Sequence, residues 1–300
     1  MHPLVHEVVL NCAKGAGLAV LFTSPMAVVL WSVSRVRKEF RAAEEFPFRE
    51  LPLRAPGESL RVKMERLAEA QQNRLLMLTI VAVVSTAVVL SLPADLKLAG
   101  MGICALLVFA DALRTIPRMI QTQRELWNCR LGFTGERLVG EELNQLLADG
   151  FQVFHDIPLQ GYNVDHVIVG PTGVFAVETN TRRRSRKASA PAEQRVRYDG
   201  DTLIWPTGKD TGPVDQALFN ARSLGHWLSS STGGPVKAQG IVTLPGWSVD
   251  DCDRHRVWTS NPKRIKSLVT SHQVDHLSNE QIQRIAYQLT ERSRLRKVEA

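Results

Sequence analysis

An α-helical membrane region of two to three spans followed by an α/β domain is the fold class predicted for these 300 residues, on three observations. Residues 15–33 (GAGLAVLFTSPMAVVLWSV) and 75–93 (LLMLTIVAVVSTAVVLSLP) carry no charge, and each is close to the roughly 20 residues that cross a bilayer core. From about residue 131 onward, short β-branched runs alternate with amphipathic segments and Gly- or Pro-rich turns, as in a layered α/β structure. The net charge of +7 and the pI near 9.5 are unevenly spread: Lys and Arg gather beside the apolar runs and in one cluster far from them.

Within residues 15–33, Pro25 interrupts the run, which fits a kinked span or a re-entrant turn. No cationic region precedes Lys14 and no small-x-small cleavage site follows, so a span fits better than a signal peptide. Residues 75–92 are apolar all round, without the polar stripe of a surface helix. A third run, 98–110 (LAGMGICALLVFA), is shorter and meets Asp111; it spans as residues 97–113 if Lys97 snorkels at one end and the charges near Arg114 sit at the other. Arg35, Arg37, Lys38 and Arg41 follow the first run, Arg61, Lys63, Arg66 and Arg74 precede the second, and Arg114, Arg118 and Arg124 follow the third. Cytoplasmic flanks collect positive charge, so the reading is a multi-pass cell-membrane protein whose C-terminal domain is cytoplasmic, with PADLK (93–97) as a short outside turn. Residues 1–126 form the membrane region and 127–300 the α/β domain. The cysteines, Cys12, Cys104, Cys129 and Cys252, form no C-x-x-C pair, which suits a reducing compartment and argues against a zinc site or a disulfide framework.

In the second part a helix is predicted over 134–150, with Thr134 as N-cap and Gly150 as stop. Strands follow at 151–155, 164–169 and 174–178, with GPTG (170–173) as the turn between the last two. After a polar, loop-like stretch come a strand at 202–206, a helix at 215–229, strands at 238–244 and 256–259, and helices at 262–270 and 278–292. The last helix carries a capping box, Ser278 with Gln281, and an apolar stripe of Ile282, Ile285, Ala286 and Leu289.

Three carboxylates are placed together by this reading. Glu136 is in phase with the stripe Val139, Leu143, Leu146 and Leu147 and so points toward the sheet, whereas Glu141 and Glu142 face solvent. Asp165 lies one residue into a strand of Val, Ile and Val, and Glu178 ends the neighbouring strand GVFAVE. A single buried carboxylate usually caps a turn or meets an arginine; three at one sheet end call for a compensating divalent cation, and hard oxygen ligands suit Mg2+ or Mn2+. The cluster Arg182, Arg183, Arg184, Arg186 and Lys187 suits a phosphate partner, either nucleic acid or the headgroups of an anionic lipid bilayer. His166, beside Asp165, fits either a proton shuttle or, as is commoner, packing on the opposite strand face, and Trp205, Trp227, Trp247 and Trp258, scattered over four elements, read as core or rim packing rather than as a stacking platform for bases.

The segments GFTGERLV, YNVDHVIVGPTGVFAVET, GPVDQALFNARSL and KAQGIVTLPGWSV resemble the nuclease-related domain, NERD, of the restriction-endonuclease-like PD-(D/E)XK superfamily, over roughly residues 131–292. The resemblance implies a restriction-endonuclease-like mixed sheet flanked by helices and a metal-dependent nuclease acting on nucleic acid, DNA above RNA. It assigns Glu136 to the helix glutamate, Asp165 and Glu178 to the metal-binding motif, and Gln216 to a glutamine beside the site. The motif's (D/E)-x-Lys triplet reads Glu178-Thr179-Asn180 here, so the lysine is missing. Asn180 orients a water without supplying charge, and Arg182 is the nearest replacement cation if the strand carries residues 178, 180 and 182 on one face. A catalytically silent domain that binds nucleic acid or a protein at the membrane is the alternative that this departure raises.

Overall fold

The computed structural model describes residues 10, 17, 28, 31–32, 35–36, 38–39, 52–184, 195–249 and 256–294. The chain divides into two compact units: Met1–Arg49 with Glu65–Leu126, and Glu50–Met64 with Trp127–Ala300. Residues 50–64, which the sequence reading grouped with the membrane region, therefore belong to the second unit.

In the first unit, residues 75–91 and 97–113 of the expected spans are helical, within helices α1 (Glu58–Ser91) and α2 (Lys97–Leu143), and Leu92 and Pro93 already belong to the turn. The turn between them closes through the N–H groups of Leu96 and Lys97, both donating to the Pro93 carbonyl at 3.0 and 3.1 Å. Both helices are long and apolar enough to cross a membrane. Their large side chains face outward, Leu98 at 82% and Leu106 at 69% exposure, unlike a core helix of a soluble protein. Arg74 donates to the Thr122 hydroxyl at 2.6 Å and so ties α1 to α2. Of the first apolar run only residues 17, 28, 31 and 32 are described, all helical. Cys104 and Cys129 are free thiols, and Cys12 and Cys252 lie outside the described residues.

α2 continues without a break through the segment expected to begin a new helix. Thr134 is not an N-cap: its hydroxyl donates to the Arg130 carbonyl at 2.9 Å within the helix. Residues 118–131 are rich in helix formers and contain no Gly or Pro, so nothing in them ends the helix. A 3₁₀ segment, Asn144–Asp149, follows, and Gly150 ends it in the left-handed region at φ 81°.

The main sheet has the order β1-β2-β3-β7-β9. β1 (Gln152–Pro158), β2 (Asn163–Gly170) and β3 (Gly173–Thr179) pair antiparallel, and β7 (Ala238–Thr243) and β9 (Val257–Ser260) continue parallel to β3. A smaller sheet joins β4 (Arg195–Tyr198), β5 (Leu203–Trp205), β6 (Gly208–Asp210) and β8 (Ser248–Val249). Of these only β5 was foreseen, from its apolar LIW; RVRY, GKD and SV in the other three carry no such apolar run. α3 (Gly212–Thr232) and α5 (Asn279–Ser293) cover one face of the main sheet through Ala221, Leu224, Leu228, Ile285 and Leu289. The end of α2 and the short α4 (Ile265–Ser271) cover the other through Val139, Leu143, Ile265 and Val269. Gly240 admits α3 to the sheet, since a Cβ there would stand 2.8 Å from the Ala217 carbonyl oxygen. The capping box of Ser278 and Gln281 is present.

Residues 52–57 strap this unit from outside the sheet. Leu53 bridges Arg294, and the Arg54 N–H donates to the Ser293 carbonyl at 2.9 Å. Pro56 fits against Gly140, and Gly57 against the Phe133 ring.

Candidate active site

Three elements bring the expected carboxylates to one end of the main sheet. In the β2–β3 ladder His166 faces Val177, so the next residues outward are Asp165 and Glu178. Asp165 Oδ2 accepts the Thr179 N–H at 2.8 Å, and Glu178 Oε2 accepts the side-chain amide of Asn220 at 2.9 Å. Both acids keep part of their surface open to solvent. Glu136 arrives from α2 and is only 7% exposed; the Gly57 N–H donates to its carboxylate, while its Oε2 is buried without a hydrogen-bond partner. Gly135 makes this approach possible, because a Cβ there would stand 2.0 Å from the Thr181 hydroxyl on the chain leaving β3.

The three acids act on one another. Burial first, then the charges of Asp165 and Asp156, raise Glu136 to about 9, against the lowering pull of the Gly57 N–H. Burial raises Asp165 to about 7, opposed by the Thr179 N–H and assisted by Asp156. Glu178 is held well above the ordinary carboxylate range by burial, then by Asp165 and Glu136, with the Asn220 amide pulling the other way. No cation is among these influences.

Asp156, a fourth carboxylate, escaped the sequence reading. It is 1% exposed on β1 at φ 51°, and the β1–β2 ladder skips the position where it would meet Asp165. Its Oδ2 accepts Arg54 Nε at 2.7 Å and the Ser59 N–H at 2.9 Å, and its Oδ1 accepts the Asn163 amide at 3.1 Å. The lone acid inside the strand-like FQVFHDIPL was the available signal. Asn220 was missed as well, though it lies inside GPVDQALFNARSL one helical turn from Gln216.

The remaining expected residues stand as follows. The Asn180 N–H donates to the Thr243 carbonyl at 3.0 Å, and its side-chain oxygen is buried without a hydrogen-bond partner. Arg182 does not replace the lysine: β3 ends at Thr179, and the Arg182 guanidinium pairs with Asp210 at 2.5 Å and lies 4.6 Å above the Trp205 ring. Gln216 reaches Glu178 only through Asn220, to which it donates at 3.2 Å. Arg183 is exposed and Arg184 lies 5.9 Å from the Trp247 ring centre, while Arg186 and Lys187 lie outside the described residues. His166 is buried on the face opposite Asp165, its Nδ1 2.9 Å from that of His155.

Mutually repelling hard oxygens and an orphaned Glu136 Oε2 are the donor chemistry a divalent cation satisfies. Among the described residues no three such side chains already stand in ligating geometry.

A mixed five-stranded sheet with helices on both faces and acids at the β2–β3 end is the restriction-endonuclease-like arrangement. Residues 131–245, from the last turns of α2 to just past β7, match the family model of the nuclease-related domain, NERD, and are such a domain. Comparison with curated proteins and with solved structures gives no match.

Proposed function

We propose that the protein is a membrane-anchored, metal-dependent nuclease that cleaves DNA phosphodiester bonds at the cytoplasmic face. The observation that carries this reading is the convergence of Glu136, Asp165 and Glu178, each raised by burial and by its neighbours. Asp165 and Glu178, with Glu136 alongside, would hold Mg2+ or Mn2+. A cation held there would supply Lewis-acid charge at the scissile phosphate and would lower the pKa of a bound water. The protein's own groups prepare the site: the Thr179 N–H fixes Asp165, Asn220 fixes Glu178, and Gln216 backs Asn220. Asn180, its buried side-chain oxygen without a partner, would accept a hydrogen bond from the attacking water and set its direction. Arg183, Arg184 and the following basic residues would hold the nucleic-acid backbone. The two outward-facing apolar helices support the membrane anchor, and the flanking Lys and Arg support the cytoplasmic side.

One observation favours a second reading, a silent domain that binds nucleic acid or a protein partner at the membrane. Position 180 is asparagine, and Arg182 is committed to Asp210 and Trp205. The full chain in detergent, given supercoiled and linear DNA with Mg2+, Mn2+ or EDTA, decides between them. Metal-dependent cutting that vanishes in Asp165→Ala supports the nuclease. Cutting that appears only in Asn180→Lys, with DNA binding in both, establishes the silent domain.

A further inference from the structure

One face of α3 leads away from the carboxylates as a chain of aromatic and hydrogen-bonding side chains. Gln216, Phe219, Ser223, Trp227 and Ser230 follow one another at helical spacing. Phe219 is 51% exposed, a large apolar surface to leave uncovered on a cytoplasmic domain. The Tyr162 ring from the β1–β2 turn lies beside it, centroids 4.8 Å apart and planes at 57°. Each ring is the chain neighbour of an asparagine that holds an acid: Asn220, next after Phe219, holds Glu178, and Asn163, next after Tyr162, holds Asp156. A cavity of about 610 Å3 opens here, and Arg292 forms its far side. Arg292 lies 5.7 Å above the Trp227 ring and is anchored by donating to the Pro158 carbonyl at 2.6 Å. Of the four tryptophans considered, Trp205, Trp247 and Trp258 are buried in the core, but Trp227 lines this groove.

We propose that this groove is a stacking subsite for unpaired nucleotides of the strand whose phosphodiester lies at the carboxylates, and that the substrate class is accordingly single-stranded or frayed nucleic acid. The proposal rests on the nuclease-like reading above and names its substrate. Rings interleaved with hydroxyl, amide and imidazole groups, and closed by an arginine, suit bases with exposed π-faces and a phosphate between them. The bases of an intact duplex have both faces covered by their neighbours and offer only edges to such a surface. Proximity selects the occupant, because the rings that open the groove, Phe219 and Tyr162, are chain neighbours of Asn220 and Asn163, which hold Glu178 and Asp156.

The test measures binding without catalysis. The full chain in detergent with EDTA is titrated by fluorescence anisotropy into a labelled single-stranded 12-mer, the same sequence as duplex, and inorganic polyphosphate. The single strand is expected to bind more tightly than the duplex. Phe219→Ala and Tyr162→Ala are each expected to weaken single-strand binding roughly 10-fold, as for one lost base–aromatic stack, and to leave polyphosphate binding unchanged. Phe219→Trp restores the affinity. Circular dichroism melting shows that the variants fold; both rings are partly exposed, so truncation leaves the core intact. Unchanged single-strand affinity in Phe219→Ala, equal affinity of the parent for duplex, or no single-strand binding overturns the proposal. Since EDTA removes cleavage from the measurement, a chain that binds single strands through these rings yet never cuts them keeps the subsite and discards the nuclease.

Discussion

Asp156 shows how a residue that no motif names comes to govern a site. It adds charge to Glu136 and Asp165 and is itself answered by Arg54, whose side chain is mostly buried. Arg54→Ala leaves that carboxylate buried and unpaired, at a cost of about 3 kcal/mol, and the full chain is expected to melt at a clearly lower temperature. Glu136 gives a pH signature. Its folded value of about 9 exceeds the ordinary 4.5, so its stabilising share is complete below about pH 4.5. As pH rises toward 9 the unfolded chain releases the proton that the folded chain keeps, and stability falls across that window. Glu136→Gln removes the slope and is expected to be more stable than the parent at pH 8 by on the order of 2 kcal/mol. Mn2+ is expected to raise the parent's melting temperature more at pH 8 than at pH 5, because a cation replaces the protons there. Equal shifts at both pH values would remove the cation from the site. Asn220→Ala is expected to lower cleavage roughly 10-fold, since Glu178 loses its orienting amide; unchanged cleavage would leave Asn220 a packing residue.

Elements with strong periodicity were legible and irregular ones were not. The β2–β3 hairpin followed from VDHVIV, a GPTG turn and GVFAVE, and its register alone sets Asp165 beside Glu178. The closing helix followed from its capping box; Ser278→Ala is expected to cost about 1 kcal/mol by thermal melting. β4, β6 and β8 gave no signal, because RVRY, GKD and SV lack the apolar run that marks β5. The error at Thr134 has a different origin: a good capping residue inside a run of helix formers simply hydrogen-bonds backward to Arg130. Arg182 was misplaced because strand pairing, which no local pattern reveals, stops at Thr179. Gly135→Ala is expected to push α2 away from Thr181 and to abolish Mn2+-dependent stabilisation while helix content is retained.

Over the whole molecule, the legible part of the site is the part carried by motif strands and one helix phase. The illegible part comes from a distance in sequence: Arg54 meets Asp156 across 102 positions and Asn220 meets Glu178 across 42. Such partners follow only from the assembled fold. Because the strap joins Leu53 to Arg294, the start and end of the second unit are zipped together. Met64 and Trp127 then bracket a stretch of the first unit that interrupts the second one. In genetic-engineering terms, the helical hairpin is a cassette inserted into a host domain that is complete around it. Leu60 already touches Gly132 across the seam. Removing residues 1–49 together with 65–126, and closing the gap between Met64 and Trp127 with a short Gly-Ser linker, is therefore expected to give a detergent-free protein with the Arg54–Asp156 pair intact, whereas a fragment starting at Trp127 would lack that arginine and melt lower.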